Sequence, residues 1–373
     1  MDYRLRCSRC ASYSRDNTRF RCRSCGSVLE VEYNYRSLAL PGNFRSMRIS
    51  NGKYVPFFPV ESLRAGLGEG GTQLLQRHMR ITKGIKLYLK METKNPTRSF
   101  KDRGSSVEIT KALDFGFDRV VCASTGNMGM SIAHYAKAMG IGATIFISAN
   151  ANKAKVAKIR KYGARVVRVD KDFNEALRKA EAFALSESAF VCGDYHFRKE
   201  GQKTVIYEIL EQMRYDVPDF IFVPVGNATL LSAIHKGLME FRMLGWIDRL
   251  PRIIAVQSEG CDPLVRAYGR KSRISYMVPN TVADAIAVGY PTFGTQGLMA
   301  LRDTRGDAIR VPDHKITEAV RLLGKEGIFA ETGGAAGFAG LLEMRGWKGR
   351  LLEGKKVVVV VTGNNEPRGR IWS

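Results

Sequence analysis

From about residue 85 onward, short apolar runs alternate with amphipathic stretches. Runs rich in β-branched residues predict strands at 86–91, 119–123, 143–147, 164–169, 220–225, 252–257 and 356–361. Between them, apolar positions recur at helical spacing in 105–115, 128–139, 153–162, 175–186, 202–213, 230–245, 317–326 and 335–344. Such alternation predicts an α/β protein with mainly parallel sheets. No internal repeat or low-complexity linker breaks it. The longest strongly apolar stretch, 357–361, has strand length. A membrane span needs about 18 to 20 residues.

Composition adds bounds. The 373 residues are 45% hydrophobic and 25% charged, which excludes wholesale disorder and a bundle of membrane helices. The length suits two domains with a small appendage. Lys and Arg number 59 against 36 Asp and Glu, a formal charge of +23. That surplus favours anionic partners, from nucleic acid to phosphorylated metabolites. No apolar segment follows the charged N-terminus, so no secretory signal is expected. Four of the seven cysteines fall in the first 25 residues. This distribution suits a reducing cytoplasm and one metal site better than a disulfide framework.

Those four cysteines form two C-x-x-C knuckles, Cys7 with Cys10 and Cys22 with Cys25, eleven residues apart. Four soft thiolates at this spacing predict a structural Zn²⁺ ribbon over residues 1–32. The alternative is four reduced thiols. Four ligands leave no open position, so a catalytic zinc is not expected. Within residues 1–26, seven arginines (4, 6, 9, 15, 19, 21 and 23) stand against only Asp2 and Asp16. They either offset the zinc-thiolate charge or bind nucleic acid.

Candidate chemistry lies in loops at strand ends, where open α/β sheets bind ligands. Four loops are rich in Gly, Asn, Ser and Thr: NPTRSFKDRG at 95–104, STGNM at 124–128, GNAT at 226–229 and TGNN at 362–365. The GNAT loop opens a helix, whose backbone N–H groups favour a phosphate. It is neither a P-loop nor a dinucleotide fingerprint. By itself it is equally readable as a structural turn. Lys101, beside Phe100, is either a solvated lysine in a charged turn or a desolvated, nucleophilic one.

Together these segments resemble the threonine synthases and related fold-type II pyridoxal-phosphate enzymes. KMETKNPTRSFKDRG is similar to their cofactor-lysine motif, and GEGGTQL at 68–74 to the G-E-G-x-T-P-L run before it. STGN, then RKEGQKT at 198–204, GNAT and TGNN follow in the family order, so the resemblance covers roughly residues 60–367. It implies a two-domain fold like the tryptophan synthase β chain, pyridoxal 5'-phosphate as cofactor and a homodimer. Lys101 would carry the cofactor and shuttle protons. Phe100 and Asn127 would border it, the latter at the phenolic oxygen. Gly226, Asn227, Ala228 and Thr229 would hold its phosphate, and Thr362 would meet the pyridine nitrogen. Ser124, Thr125, Gly126 and Met128 would line the substrate carboxylate site, with Arg98 and Arg198 toward a substrate phosphate. The expected domains are 33–104 with 195–373, and a smaller 105–194 that closes over the substrate.

The implied reaction turns O-phosphohomoserine and water into threonine and phosphate. Substrate-side positions depart from the family pattern. Arg98 stands where Gly is usual, Met128 where Thr is usual, and CGDYHF at 192–197 where N-S-V-N-P-Y is common. ETGGAAG at 331–337 replaces E-P-A-S-A-A-S, and TGNNEP replaces G-x-G-L-K-D. These departures leave open a related β-replacement or elimination enzyme. Examples are cysteate or cysteine synthesis from O-phosphoserine, and serine/threonine ammonia-lyase. An alternative of another class is an inactive, nucleic-acid-binding descendant. An intact frame around Lys101 argues against it.

Overall fold

The computed structural model describes residues 2–124, 126–149, 151, 153–170 and 173–364. The chain starts with β1 (Tyr3–Cys7) and β2 (Leu29–Tyr33), then β3 (Leu74–Arg77) and β4 (Lys86–Met91). Next come α1 (Lys101–Asp114), β5 (Arg119–Ala123), α2 (Asn127–Ala138), β6 (Gly142–Ile147), α3 (Lys153–Lys161) and β7 (Arg165–Arg168). They lead to α4 (Phe173–Ser186), β8 (Phe190–Cys192), α5 (His196–Gln202) and α6 (Thr204–Gln212). The last third holds β9 (Phe220–Pro224), α7 (Thr229–Met243), β10 (Arg252–Ser258), α8 (Pro263–Arg270) and α9 (Gly294–Asp303). It closes with β11 (Asp307–Val311), α10 (Asp313–Lys325), α11 (Thr332–Leu352) and β12 (Lys356–Val361). No described helix is long and apolar enough to cross a membrane.

The chain divides into two compact units: 1–71 with 95–97 and 101–204, and 72–94 with 98–100 and 205–373. Residues 33–71, 95–97, 101–104 and 195–204, expected with the larger body, therefore cluster with the first unit. Side-chain hydrogen bonds explain this. Asn51 donates to the Arg103 carbonyl at 3.2 Å and to Ser106 Oγ at 3.0 Å, and Ala65 N donates to Thr110 Oγ1 at 3.1 Å.

In the first unit, β1 and β2 pair antiparallel, and a parallel sheet runs β7-β6-β5-β8. In the second, a six-stranded sheet runs β11-β10-β9-β12-β4-β3, with only β3 antiparallel to its neighbour. Strand β12, KVVVVV, is buried from Val357 to Val361. A near-continuous apolar run of this kind fits a central parallel strand covered on both faces. Its valines pack with Phe222, Leu89, Phe338 and Ala335.

Beyond the N-terminal strands and β3, the elements β8, α5, α8, α9 and β11 were not legible in the pattern, and α1 begins earlier than expected. Helix α5, HFRKEGQ, is buried at all seven positions although five of them are polar, so no apolar stripe marks its buried side. Its Gly201 lies against α1: a Cβ there would come 1.8 Å from the Arg103 carbonyl oxygen. A Cβ on Gly104 would likewise meet the Arg198 carbonyl oxygen at 2.8 Å. The glycines of KDRG and EGQ thus let two backbones touch. Helix α1 starts at Lys101 and not near 105. Asp102 explains the earlier start, because it accepts hydrogen bonds from Thr97 N and Thr97 Oγ1, both at 2.6 Å, and folds the preceding turn back.

Candidate active site

In the first unit, Lys101 opens α1, with its amine 3.6 Å from Asp194 Oδ1. Burial holds its proton affinity below the ordinary lysine value; Asp194 pulls it back up and Arg198 pushes it down. A lysine with a depressed value is a better nucleophile near neutral pH. Asp102, next in sequence, also accepts from Ser131 Oγ at 2.6 Å. Burial pushes its carboxyl up to about 6 against those hydrogen bonds.

Arg198, expected toward substrate phosphate, is fully buried. Its Nε donates to the Gly193 carbonyl at 2.9 Å, Nη1 to the Lys101 carbonyl at 3.0 Å, and Nη2 to Ser105 Oγ at 3.2 Å. It also pairs with the Glu108 carboxylate. Glu108 accepts the Gly193 N–H at 2.8 Å, and burial pushes it up to about 7 despite the arginine. The guanidinium is thus engaged within the scaffold that seats Lys101.

Ser124, Gly126, Asn127 and Met128 sit at the end of β5 and the start of α2. Thr125 lies outside the described residues. Ser124 Oγ accepts from Gly126 N at 3.2 Å and Gly129 N at 2.9 Å, so the hydroxyl caps α2. Asn127 and Met128 are buried. Sequence reasoning missed two charged neighbours. Asp194 is one. Lys155 of α3 is the other, with its ammonium 3.8 Å from where a Gly126 Cβ would be. Neither is marked by a local motif.

The family's Asn-Ser pair falls here on Cys192 and Gly193. Cys192 is buried in β8, and burial raises its thiol well above the usual range. Gly193 has φ +153°, and a Cβ there would lie 3.3 Å from the Tyr195 ring. A serine is therefore disfavoured at 193 in this backbone.

In the second unit, residues 98–100 extend the end of β12. Ser99 bridges Gly363, Phe100 N donates to the Thr362 carbonyl at 3.0 Å, and Asn364 N donates to the Arg98 carbonyl at 3.0 Å. Phe100 is half-buried, and Lys101 follows it in the chain. Arg98 is exposed with φ +61°, a left-handed conformation that explains why Gly is usual at this position. Thr362 is buried, its hydroxyl 3.5 Å from the Gly333 carbonyl. A Cβ on Gly334 would come 2.3 Å from the Gly363 carbonyl oxygen, so the small residues of ETGGAAG let α11 approach this loop. Asn365 lies outside the described residues.

The GNAT loop follows β9 and leads into α7. Asn227 Oδ1 accepts from Thr292 N at 3.2 Å and Thr292 Oγ1 at 3.1 Å, anchoring the loop. Ala228 is left-handed, φ +59°, at the N-cap, where it has no polar side chain to satisfy the first N–H groups of α7. A positive-φ residue at an uncapped helix start suits a phosphate. Taken by itself, this donor set fits the phosphate of pyridoxal phosphate; within the first unit, the half-buried Lys101 amine fits its aldehyde.

The four N-terminal sulfurs all lie within 4.8 Å of one another. Cys7 and Cys25 are 3.4 Å apart, Cys10 and Cys22 3.6 Å, Cys10 and Cys25 3.7 Å. A tetrahedral zinc with about 2.3 Å bonds needs sulfurs roughly 3.8 Å apart. The Ser12 hydroxyl lowers the Cys22 thiol to about 5, favouring the thiolate. The ribbon's arginines are partly engaged within the fold: Arg21 pairs with Glu181 at 2.7 Å, Arg19 with Asp16 at 3.6 Å, and Arg4 lies 6.0 Å from the Tyr13 ring centre.

Residues 66–363 match the family described as pyridoxal-phosphate dependent enzyme. A threonine synthase of Methanosarcina acetivorans is 38% identical over 97% of this chain and 91% of that protein. A threonine synthase of Methanocaldococcus jannaschii is 37% identical over 96% and 91%. Among solved structures, maize serine racemase is similar with a TM-score of 0.70 and 26% identity, over 81% of this chain and 90% of that one.

Proposed function

The chain belongs to the threonine synthase family of pyridoxal-phosphate-dependent enzymes, and we propose that it converts O-phosphohomoserine and water into threonine and phosphate. The observation that carries this reading is the half-buried Lys101 at the head of α1, its amine depressed in proton affinity within an intact NP-x-x-SFKDRG frame. When bound, pyridoxal phosphate supplies an electron sink for charge developing at the substrate Cα.

The chain's own residues do the rest. Lys101 Nζ takes the Cα proton and then moves a proton from Cβ. Phosphate leaves Cγ with the electrons of the C–O bond and Cγ gains a proton; water's oxygen joins Cβ as a hydroxyl, its other proton ending on the phosphate, and Cα regains a proton. Backbone N–H groups at the start of α2 hold the substrate carboxylate, with Ser124, Thr125, Gly126 and Met128 around it. Asn127 and Phe100 border the cofactor. Gly226, Asn227, Ala228 and Thr229 hold its phosphate. Thr362 offers a neutral hydroxyl at the pyridine nitrogen. Arg98 supplies positive charge toward the substrate phosphate, a task first expected of Arg98 and Arg198 together. Arg198 positions Lys101 through its backbone carbonyl.

Cys7, Cys10, Cys22 and Cys25 hold a structural zinc. The protein works as a homodimer in the cytoplasm, where these thiols stay reduced. The test is turnover by purified holoenzyme on O-phosphohomoserine, O-phosphoserine, serine and threonine. Threonine formed from O-phosphohomoserine supports the reading. O-phosphoserine turnover without it refutes the reading. A visible cofactor band lost in Lys101→Ala checks the lysine.

A further inference from the structure

Asp194 occupies the third position of CGDYHF, where the family's run has an apolar residue. The resemblance therefore assigns it nothing. Its carboxylate nonetheless faces the Lys101 amine at 3.6 Å and is nearly buried, 8% exposed. Both its neighbours are pinned. Gly193 gives its carbonyl to Arg198 and its N–H to Glu108. Tyr195 donates its hydroxyl to Glu181 at 2.6 Å, meets Phe20 edge-on at 5.6 Å, and lies 5.9 Å from the Arg21 guanidinium. The ribbon thus braces one side of Asp194 and α5 the other.

Electrostatics gives Asp194 a task. Besides Asp194, the groups acting on Lys101 are Arg198, Glu108 and Cys122. Arg198 and Glu108 are paired with each other, and burial keeps the Cys122 thiol neutral. Asp194, at 3.6 Å, is the carboxylate that faces the lysine charge directly. A lysine that takes and returns protons must be desolvated enough to lose its own proton. It must also be held in place while it is charged.

We infer that Asp194 is a positioning residue for Lys101: its carboxylate keeps the amine oriented between proton transfers and stabilises the protonated nitrogen. This rests on the proposed role of Lys101 as the cofactor lysine. The experiment compares wild-type, Asp194→Asn, Asp194→Glu and Lys101→Ala holoenzymes. It reads the pH titration of the visible cofactor band, together with kcat and KM. Removing the negative charge disfavours the protonated nitrogen, so in Asp194→Asn the titration midpoint should fall by about one pH unit, a tenfold loss of proton affinity. The kcat should drop about tenfold or more with KM nearly constant, and Asp194→Glu should restore most of the midpoint.

A wild-type midpoint and kcat in Asp194→Asn overturn the inference while leaving the lysine assignment standing. A band that survives in Lys101→Ala instead overturns the lysine assignment. If Asp194→Asn does not fold, Asp194→Glu carries the test. Its longer side chain keeps the charge but moves it, so kcat should fall with the midpoint preserved. An unchanged kcat refutes positioning.

Discussion

Replacing Arg198 with Met should loosen the seat of Lys101. The guanidinium donates to the carbonyls of Gly193 and Lys101 and to Ser105 Oγ, and it is the cation paired with Glu108. Neither Arg198 nor Glu108 is reached by solvent. Breaking a buried pair by removing one partner costs about 3 to 5 kcal/mol, since the other charge is left without compensation. Glu108, already pushed up to about 7 by burial, would rise further and take up a proton. Protonation limits the cost to the upper end of that range and does not erase it. The three oxygen acceptors lose their donor as well.

The assay is native-state hydrogen exchange of the α1 and α5 amides. Tryptophan fluorescence does not suit, because Trp246 and Trp347 lie in the second unit and the third tryptophan, Trp372, lies outside the described residues. Protection should fall roughly a hundred- to several-thousand-fold, at about 1.4 kcal/mol per factor of ten. Adding Glu108→Leu should recover about 2 kcal/mol or more, because the buried charge is gone. Exchange within tenfold of wild type in the single variant would refute the reasoning. So would a double variant that loses the sum of the two single losses.

Further outcomes are expected. The folded-state value of Asp102, about 6, lies above its unfolded value of 3.8. Between them the folded state holds the extra proton, so stability should fall by about 3 kcal/mol as pH rises through that window. Denaturant titrations should show the slope flattened in Asp102→Asn. Arg98→Gly should relieve a left-handed residue and raise stability by up to ~1 kcal/mol. It should also raise KM for O-phosphohomoserine about tenfold with the visible spectrum unchanged, as removal of a charge-assisted contact predicts. Unchanged KM in steady-state assays would remove Arg98 from the substrate site. One zinc per chain is expected by elemental analysis, falling well below one in Cys22→Ser; equal metal content would refute the four-cysteine site.

The sequence by itself determined the alternation of strands and helices, the loops at strand ends and the lysine. Strands β4, β5 and β12 stand at the predicted residues because their apolar side chains, the valines of β5 and β12 and Leu87, Leu89 and Met91 of β4, are buried. The cysteine spacing likewise announced a tetrahedral cluster, since two tight knuckles and one short loop bring four sulfurs together. Helix α5 and three-residue β8 were not legible: one is buried all round, and the other is too short for a period.

Tertiary structure alone decided how the charged residues are used. Arg198 sits in a motif and reads as a substrate ligand, yet Glu108, ninety residues away, takes it. Asp194 reads as an unremarked loop acid, yet it faces an amine ninety-three residues earlier. Lys155 lies in a basic helix with no motif and reaches Gly126. The physical reason is the range of the interactions. Hydrophobic periodicity is set by neighbours within a turn or two of chain. The partner of a buried charge is chosen by desolvation and by the fold that brings distant segments within a few ångströms.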